Sequence, residues 1–413
     1  MRRFLTHSKI ILGHPGMLGL LAANVAFGMA ISFVVPYMSM WGTQHVKMSP
    51  MVFGWFMTLT SVSAIVLSTV MARLSDTRVM RRTILIWGSL GGIVGYVGYA
   101  FLEQPWALTL VGCAAIGLSA ANFSQLFAHM REELDRPENA HLDAPLIMSV
   151  LRVSFSLAWT IGPAIGAYVM TLYGYRGIFL GASSLFLVFL VGVLRYVPSR
   201  PHPPHVHASK HEPILSVLSR PAIWISVVAF TAVFAAHSIN LMNLPLLVTE
   251  QLGGTEKDVG IIFGIAPFIE MPLMLWTGQL AARGKTMLLL RIGAVATVVY
   301  FLPLTYVHAP WHIYPMQILS AVSIAILTNI TIVFFQDLLP TQPDVATSLF
   351  ANTFNAGNLL GYFGFGNLVG LVGHRGLFPV CAGLSLLTTL ILLFYRVKVP
   401  PSARSGMPVV AHV

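Results

Sequence analysis

The sequence predicts an all-α membrane protein of twelve transmembrane helices arranged as two six-helix halves. Three observations carry that prediction. Of 413 residues, 56% are hydrophobic and only 9% are charged, too few to cover a water-soluble surface, where about a quarter of residues are charged. Apolar stretches of roughly 20 residues, the length that crosses a bilayer, recur about twelve times. The lysines and arginines between them fall on alternate gaps. Each stretch must satisfy its own backbone polar groups in lipid, so each reads as a helix. The alternating ten-residue segments of a membrane barrel are absent.

The first stretch, 16–40, follows a basic start (Arg2, Arg3, Lys9) and runs too long for a cleaved signal. It is expected to remain as helix 1, and it carries Asn24 and Pro36. Helix 2, 51–72, opens at Ser49-Pro50, with proline in the first turn where its missing N–H costs nothing. A basic turn leads to helix 3, 83–102. Helix 4, 105–129, opens at Gln104-Pro105 and holds Asn122 and Gln125. Helix 5, 146–170, opens at Asp143-Ala144-Pro145, carries Arg152 and ends rich in glycine; helix 6 covers 177–197. The break from Arg195 to Arg220 is the longest, and its prolines between Pro198 and Pro204 exclude helix. Helix 7, 221–249, opens at Ser219-Arg220-Pro221 and carries His237, Asn240 and Asn243. Helix 8, 258–282, carries Glu270 between Pro267 and Pro272. Helices 9 and 10 cover 285–306 and 311–336. Helix 11, 345–372, carries Asn352, Asn355 and Asn358 ahead of another glycine-rich half, and helix 12 covers 376–395. Residues 1–197 therefore read as one bundle, 198–220 as a linker, 221–396 as a second bundle and 397–413 as a tail. Helices 1 and 7, and 5 and 11, echo one another weakly, as parallel repeats around a midplane site would.

Charge orients the chain. Eighteen cations, among them Arg73, Arg81, Arg82, Arg283 and Lys285, fall in one set of gaps; only Lys47, Arg176, Lys257 and Arg375 fall in the other. Arg152 and Arg291 lie within helices. The positive-inside rule then places both termini in the cytoplasm, in a multi-pass inner-membrane protein. The net charge of +10 is a topology signal with an attraction to anionic lipid, not a nucleic-acid footprint. Cys113 and Cys381 both fall inside helices and read as packing residues rather than a disulfide. His202, His205, His207 and His211 sit in the linker, where no rigid element fixes a metal geometry. No metal or cofactor is expected.

The turn Ala72-Arg73-Leu74-Ser75-Asp76-Thr77-Arg78-Val79-Met80-Arg81-Arg82 resembles the signature loop of the major facilitator superfamily, Gly-x-x-x-Asp-(Arg/Lys)-x-Gly-(Arg/Lys)-(Arg/Lys). Asp76, Arg81 and Arg82 match; both glycines and one basic position do not. These three are candidates for a conformational latch, by helix-end or ion-pair contacts; a solvated topogenic cluster is the alternative. Helix 5 resembles the superfamily's exporter motif through Gly162, Pro163 and Gly166, with Ala158 and Ala167 as small stand-ins. That spacing lets helices approach closely, and Pro163 permits a bend.

An ordered set of further segments resembles the sugar efflux transporter family within that superfamily. It includes Arg73-Leu74-Ser75-Asp76, Ser124-Gln125-Leu126-Phe127-Ala128, Leu151-Arg152, Ile269-Glu270-Met271-Pro272, Phe335-Gln336-Asp337-Leu338 and Ala346-Thr347 through Asn352. The resemblance implies the twelve-helix facilitator bundle and export of sugars or small glycosides driven by proton entry, acting as a monomer.

Two intramembrane charges suit the coupling role. A carboxylate at Glu270 costs several kcal/mol unless it is paired, hydrated or protonated, which fits a proton carrier exchanging between a proton and a cation such as Arg152. A static buried pair is the alternative. Sugars need donors and acceptors beside an apolar ring face, and amides offer both. Asn24, Asn122, Gln125, His237, Asn240, Asn243, Asn352 and Asn355 are the candidate contacts, with Trp159 and Trp276 as stacking surfaces. The alternative is that the amides join helices. No His-Glu-x-x-His, Gly-x-Ser-x-Gly or Gly-x-x-x-x-Gly-Lys pattern occurs, which argues against an enzyme and an ATP-driven pump. A proton-coupled multidrug exporter on the same scaffold is the closest rival.

Overall fold

The computed structural model describes residues 15–134, 136, 144–199 and 219–394. The linker histidines and the C-terminal tail lie outside the described residues. Within them, nine stretches are long and apolar enough to cross a membrane. Six are single passes: Gly16–His45 (α1), Pro50–Thr77 (α2), Arg81–Phe101 (α3), Pro105–Leu134 (α4), Pro221–Gln251 (α7) and Pro310–Leu338 (α10). The other three span 47, 49 and 50 residues. At ~1.5 Å per residue each is about 70 Å long, more than two passes of a ~30 Å hydrocarbon core.

Each long stretch reverses at a glycine. Gly174 (φ 64°) separates α5 (144–173) from α6 (175–196). Gly284 (φ 79°) lies between α8 (Glu256–Leu280) and α9 (Thr286–Leu304). Gly373 (φ 71°) separates α11 (343–372) from α12 (374–394). A positive φ of this kind is open to glycine and strained for other residues. Counting these three as pairs gives twelve passes. The prolines at Pro50, Pro105 and Pro221 do start helices, and at the first the Ser49 hydroxyl caps the Val52 N–H at 3.3 Å.

Small residues set the packing. In the first half, Gly28 of α1 meets Ala158 and Phe155 of α5, Gly192 of α6 meets Ala23, and Gly92 of α3 meets Phe186 of α6. In the second half, Gly357 and Gly361 of α11 press on Phe234 and Ser238 of α7. The pair α1–α5 thus has its counterpart in α7–α11, each joined through glycines four residues apart.

The halves touch at the end away from the basic loops, the far end. Gly54 of α2 meets Gly366 and the Tyr362 carbonyl of α11. Phe53 stacks edge-on to Phe365, and Trp55 to Phe363. Gly260 of α8 lies against Ala167, the Pro163 carbonyl and Tyr37, and Gly264 against the Thr160 carbonyl. Gln44 of α1 donates to Thr249 Oγ1 and Glu250 Oε1 of α7, at 3.1 and 3.0 Å. Towards the basic end the same faces are uncovered. The α11 face that carries Gly366 and Tyr362 continues at helical spacing to Asn355, Asn352, Ala351 and Ser348. Of these, Asn355 is half-buried and the other three are exposed. Among the described residues, a cleft therefore runs between the halves, closed at the far end and uncovered at the basic end.

Candidate functional site

Glu270 sits near the middle of the 25-residue α8. The exposed Ile261, Phe268, Leu275 and Trp276 mark the lipid-facing side of that helix. Glu270 projects from the opposite side, towards the cleft, and is half-buried. On α5 the exposed Leu157, Ile161, Ile165 and Tyr168 mark the lipid side, and Arg152 is exposed on the opposite one. From the Thr160–Gly264 contact, Glu270 lies six residues and Arg152 eight residues towards the basic end, about 9 and 12 Å along their helices. The two stand at similar depth on facing helices. Neither has a hydrogen-bond or ion-pair partner among the described residues, so they are not paired with one another in this conformation.

The expected amides divide into two groups. Asn24 is fully buried, and its Nδ2 donates to the Leu151 carbonyl and to Ser154 Oγ, both at 2.8 Å. Asn122 is fully buried against Gly88 of α3. Gln125 accepts from Arg81. Asn243 donates to the His374 carbonyl at 2.8 Å and meets His374 Nδ1 at 2.7 Å. These four differ from the sequence expectation: all are buried and give the cleft no surface here, three of them join helices, and Asn122 has no hydrogen-bond partner among the described residues. Asn240, also buried, donates to Tyr300 Oη at 3.3 Å, while its Oδ1 has no partner. His237 is half-buried beside Ser323 Oγ at 3.1 Å, which in turn meets Thr297 Oγ1. Trp159 is half-buried on the same side of α5 as Arg152. Like Asn355, it keeps part of its surface accessible, and Asn352 is exposed. Trp276 is a correction: it lies on the lipid side of α8, behind the cleft wall.

The basic turn ties one half together. Arg81 Nη1 donates to Ser75 Oγ at 2.9 Å and Gln125 Oε1 at 3.0 Å, and its Nε donates to Glu132 Oε1 at 2.8 Å. Arg82 Nη2 donates to the Leu194 carbonyl of α6 at 2.8 Å. The side chain of Asp76 lies outside the described residues. In the α5 motif, Ala158, Gly162 and Gly166 face α1. Ser32 donates to the Ala158 carbonyl at 3.0 Å and Tyr37 to the Pro163 carbonyl at 2.6 Å, and a side chain at Gly162 would run into Ser32.

One cluster was not anticipated. At the far end Glu250 accepts from Gln44 and lies 3.4 Å from His374 Nε2, and His374 in turn contacts Asn243. The chain of contacts crosses from one half to the other. Its sequence signal was the polar end of helix 1 and of helix 7, past Pro36 and Pro245.

Comparison with known proteins meets this geometry. The model for the Major Facilitator Superfamily matches residues 20–351. Sugar efflux transporter A of Dickeya chrysanthemi is 30% identical over 347 residues, covering 84% of this chain and 86% of that protein. Sugar efflux transporter B of Salmonella typhimurium is 30% identical over 354 residues, covering 85% and 87%. The chain belongs to the sugar efflux transporter family of the major facilitator superfamily. That membership makes it a multi-pass membrane transporter rather than an enzyme. A crystal structure of the nucleoside transporter NupG superimposes with a TM-score of 0.77 over 92% of this chain and 98% of that one. At 14% identity that likeness speaks to the fold alone, and it is the facilitator fold this family shares.

Proposed function

We propose that this protein exports sugars or small glycosides by alternating access, with proton entry through Glu270 as the driving force. It lies in the inner membrane with both termini and the basic loops in the cytoplasm, so the conformation described here faces inward. The substrate class rests on the relatives named sugar efflux transporters. The coupling rests on one observation: Glu270 lies on the cleft side of α8, half-buried and without a partner among the described residues.

A carboxylate in that position is neutralised by a proton or by a cation. With the cleft open inward, water reaches Glu270, its proton leaves to the cytoplasm, and Arg152 stands close enough in depth to balance the charge. Sugar then binds between Trp159 and the Asn352–Asn355 face, its hydroxyls on amides that both donate and accept. The return swing closes the basic end, breaks the Gln44–Glu250 contact and lets an outside proton replace the cation at Glu270. Sugar leaves as the proton enters.

The test is counterflow of labelled sugars into proteoliposomes, with and without an imposed pH gradient, with lipophilic cations as contrasting substrates. Gradient-dependent sugar movement and no movement of the cations is the expected result. Cation transport without sugar transport would refute the reading and point to a drug exporter.

A further inference from the structure

Beyond Glu270 towards the basic end lies a second cavity, of about 260 Å³, between α8, α9 and α10; its α8 lining starts at Leu273, three residues past Glu270. Leu273, Trp276, Leu280, Leu288, Ile292 and Ile326 form its apolar wall, and Lys285 stands at its rim. It opens outwards, because Trp276 (58%) and Leu288 (53%) of its wall are both more than half exposed. An apolar recess does not hold water, and in a bilayer its natural occupant is a length of acyl chain.

The rim adds charge. Arg283 and Lys285 flank Gly284 in the turn between α8 and α9. Both are exposed, and neither has a hydrogen-bond or ion-pair partner among the described residues. The corresponding turn of the first half is different: Arg81 is taken up by Glu132 and Gln125, and Arg82 by the Leu194 carbonyl. Among the described residues, Arg283 and Lys285 have no such partner, which suits them to an anionic headgroup.

We propose that this crevice binds an anionic phospholipid, with one acyl chain against Trp276 and the headgroup phosphate on Lys285 and Arg283. Cytoplasmic placement of the basic loops makes it a lipid of the inner leaflet. The bound chain fills the recess one turn beyond Glu270 and braces α8 against α9 and α10.

The experiment places the full-length protein in phosphatidylcholine vesicles containing either brominated phosphatidylglycerol or brominated phosphatidylcholine, and reads tryptophan quenching. Brominated phosphatidylglycerol should quench more strongly, and W276F should remove that excess. A cation near an anionic lipid surface is worth about fivefold in affinity, ~1 kcal/mol, so R283Q/K285Q should abolish most of the preference while leaving folding intact, as both side chains are exposed. Equal quenching by the two lipids, a preference unchanged in R283Q/K285Q, or an excess that survives W276F would each overturn the proposal. The readout is lipid occupancy rather than transport, so its failure is distinct from failure of the sugar-export reading.

Discussion

Glu270 has no partner among the described residues, in a place where an isolated charge is costly, whereas Asn24, Gln125 and Asn243 are bonded to neighbouring helices where substrate contacts were expected. The difference is chemical. Asn24, Gln125 and Asn243 lie between helices, where a buried amide is stabilised by bonds to protein groups; Asn122 is equally buried, but neither of its side-chain polar atoms has a partner among the described residues. Asn352 and Asn355 lie on a face that water reaches. An i, i+3 pattern on one helix does not reveal which neighbour that face meets, so the sequence could propose all of these residues without sorting them. Two predictions separate the groups. Asn24→Ala should lower stability by about 1–2 kcal/mol, from two lost buried hydrogen bonds, read as a lower melting temperature in detergent. Asn352→Ala or Asn355→Ala should leave melting unchanged and raise the sugar concentration needed for half-maximal counterflow. Arg81→Gln should also destabilise, by about 2–3 kcal/mol, because Glu132 and Ser75 lose their donor in a largely buried cluster. If R81Q melts like the parent, the arginine is a topology signal only.

Helix existence was legible from apolar runs, and helix starts from the prolines at Pro50, Pro105 and Pro221. Helix ends were not. Hydropathy stops near residues 72 and 129, yet α2 runs to Thr77 and α4 to Leu134. The final turns carry charges such as Arg131, Glu132 and Glu133, which leave the hydrocarbon while the backbone keeps its helical bonds in water. The short gaps near Gly174 and Gly373 proved to be single-glycine reversals, which polarity alone does not mark. The glycines of α2 and α11 have a second consequence. A side chain at Gly54 would meet backbone atoms of Gly366 and Tyr362, which cannot move aside as a flexible side chain can. Gly54→Val should therefore prop the far end open. A cysteine at Thr249 should then react faster with a membrane-impermeant maleimide applied from outside; unchanged labelling would mean that this contact does not govern closure.

At the scale of the whole molecule, two bundles meet at one end only, and alternate placement of cations orients them. Among the described residues nine apolar stretches are seen, three of them long enough for two passes each. The all-helical membrane class followed from composition and spacing, because lipid imposes helical spans on a chain of this kind. The cleft's direction and the Gln44–Glu250–His374 bridge did not, because they depend on how the halves pack rather than on either half. The account stands on Glu270 converting a pH gradient into sugar movement. The most direct measurement is a comparison of wild type and Glu270→Gln in the same proteoliposomes, reading sugar counterflow at equal pH and sugar movement under an imposed gradient. The account predicts that E270Q keeps counterflow and loses the gradient-driven component. Full gradient-driven transport by E270Q would contradict it.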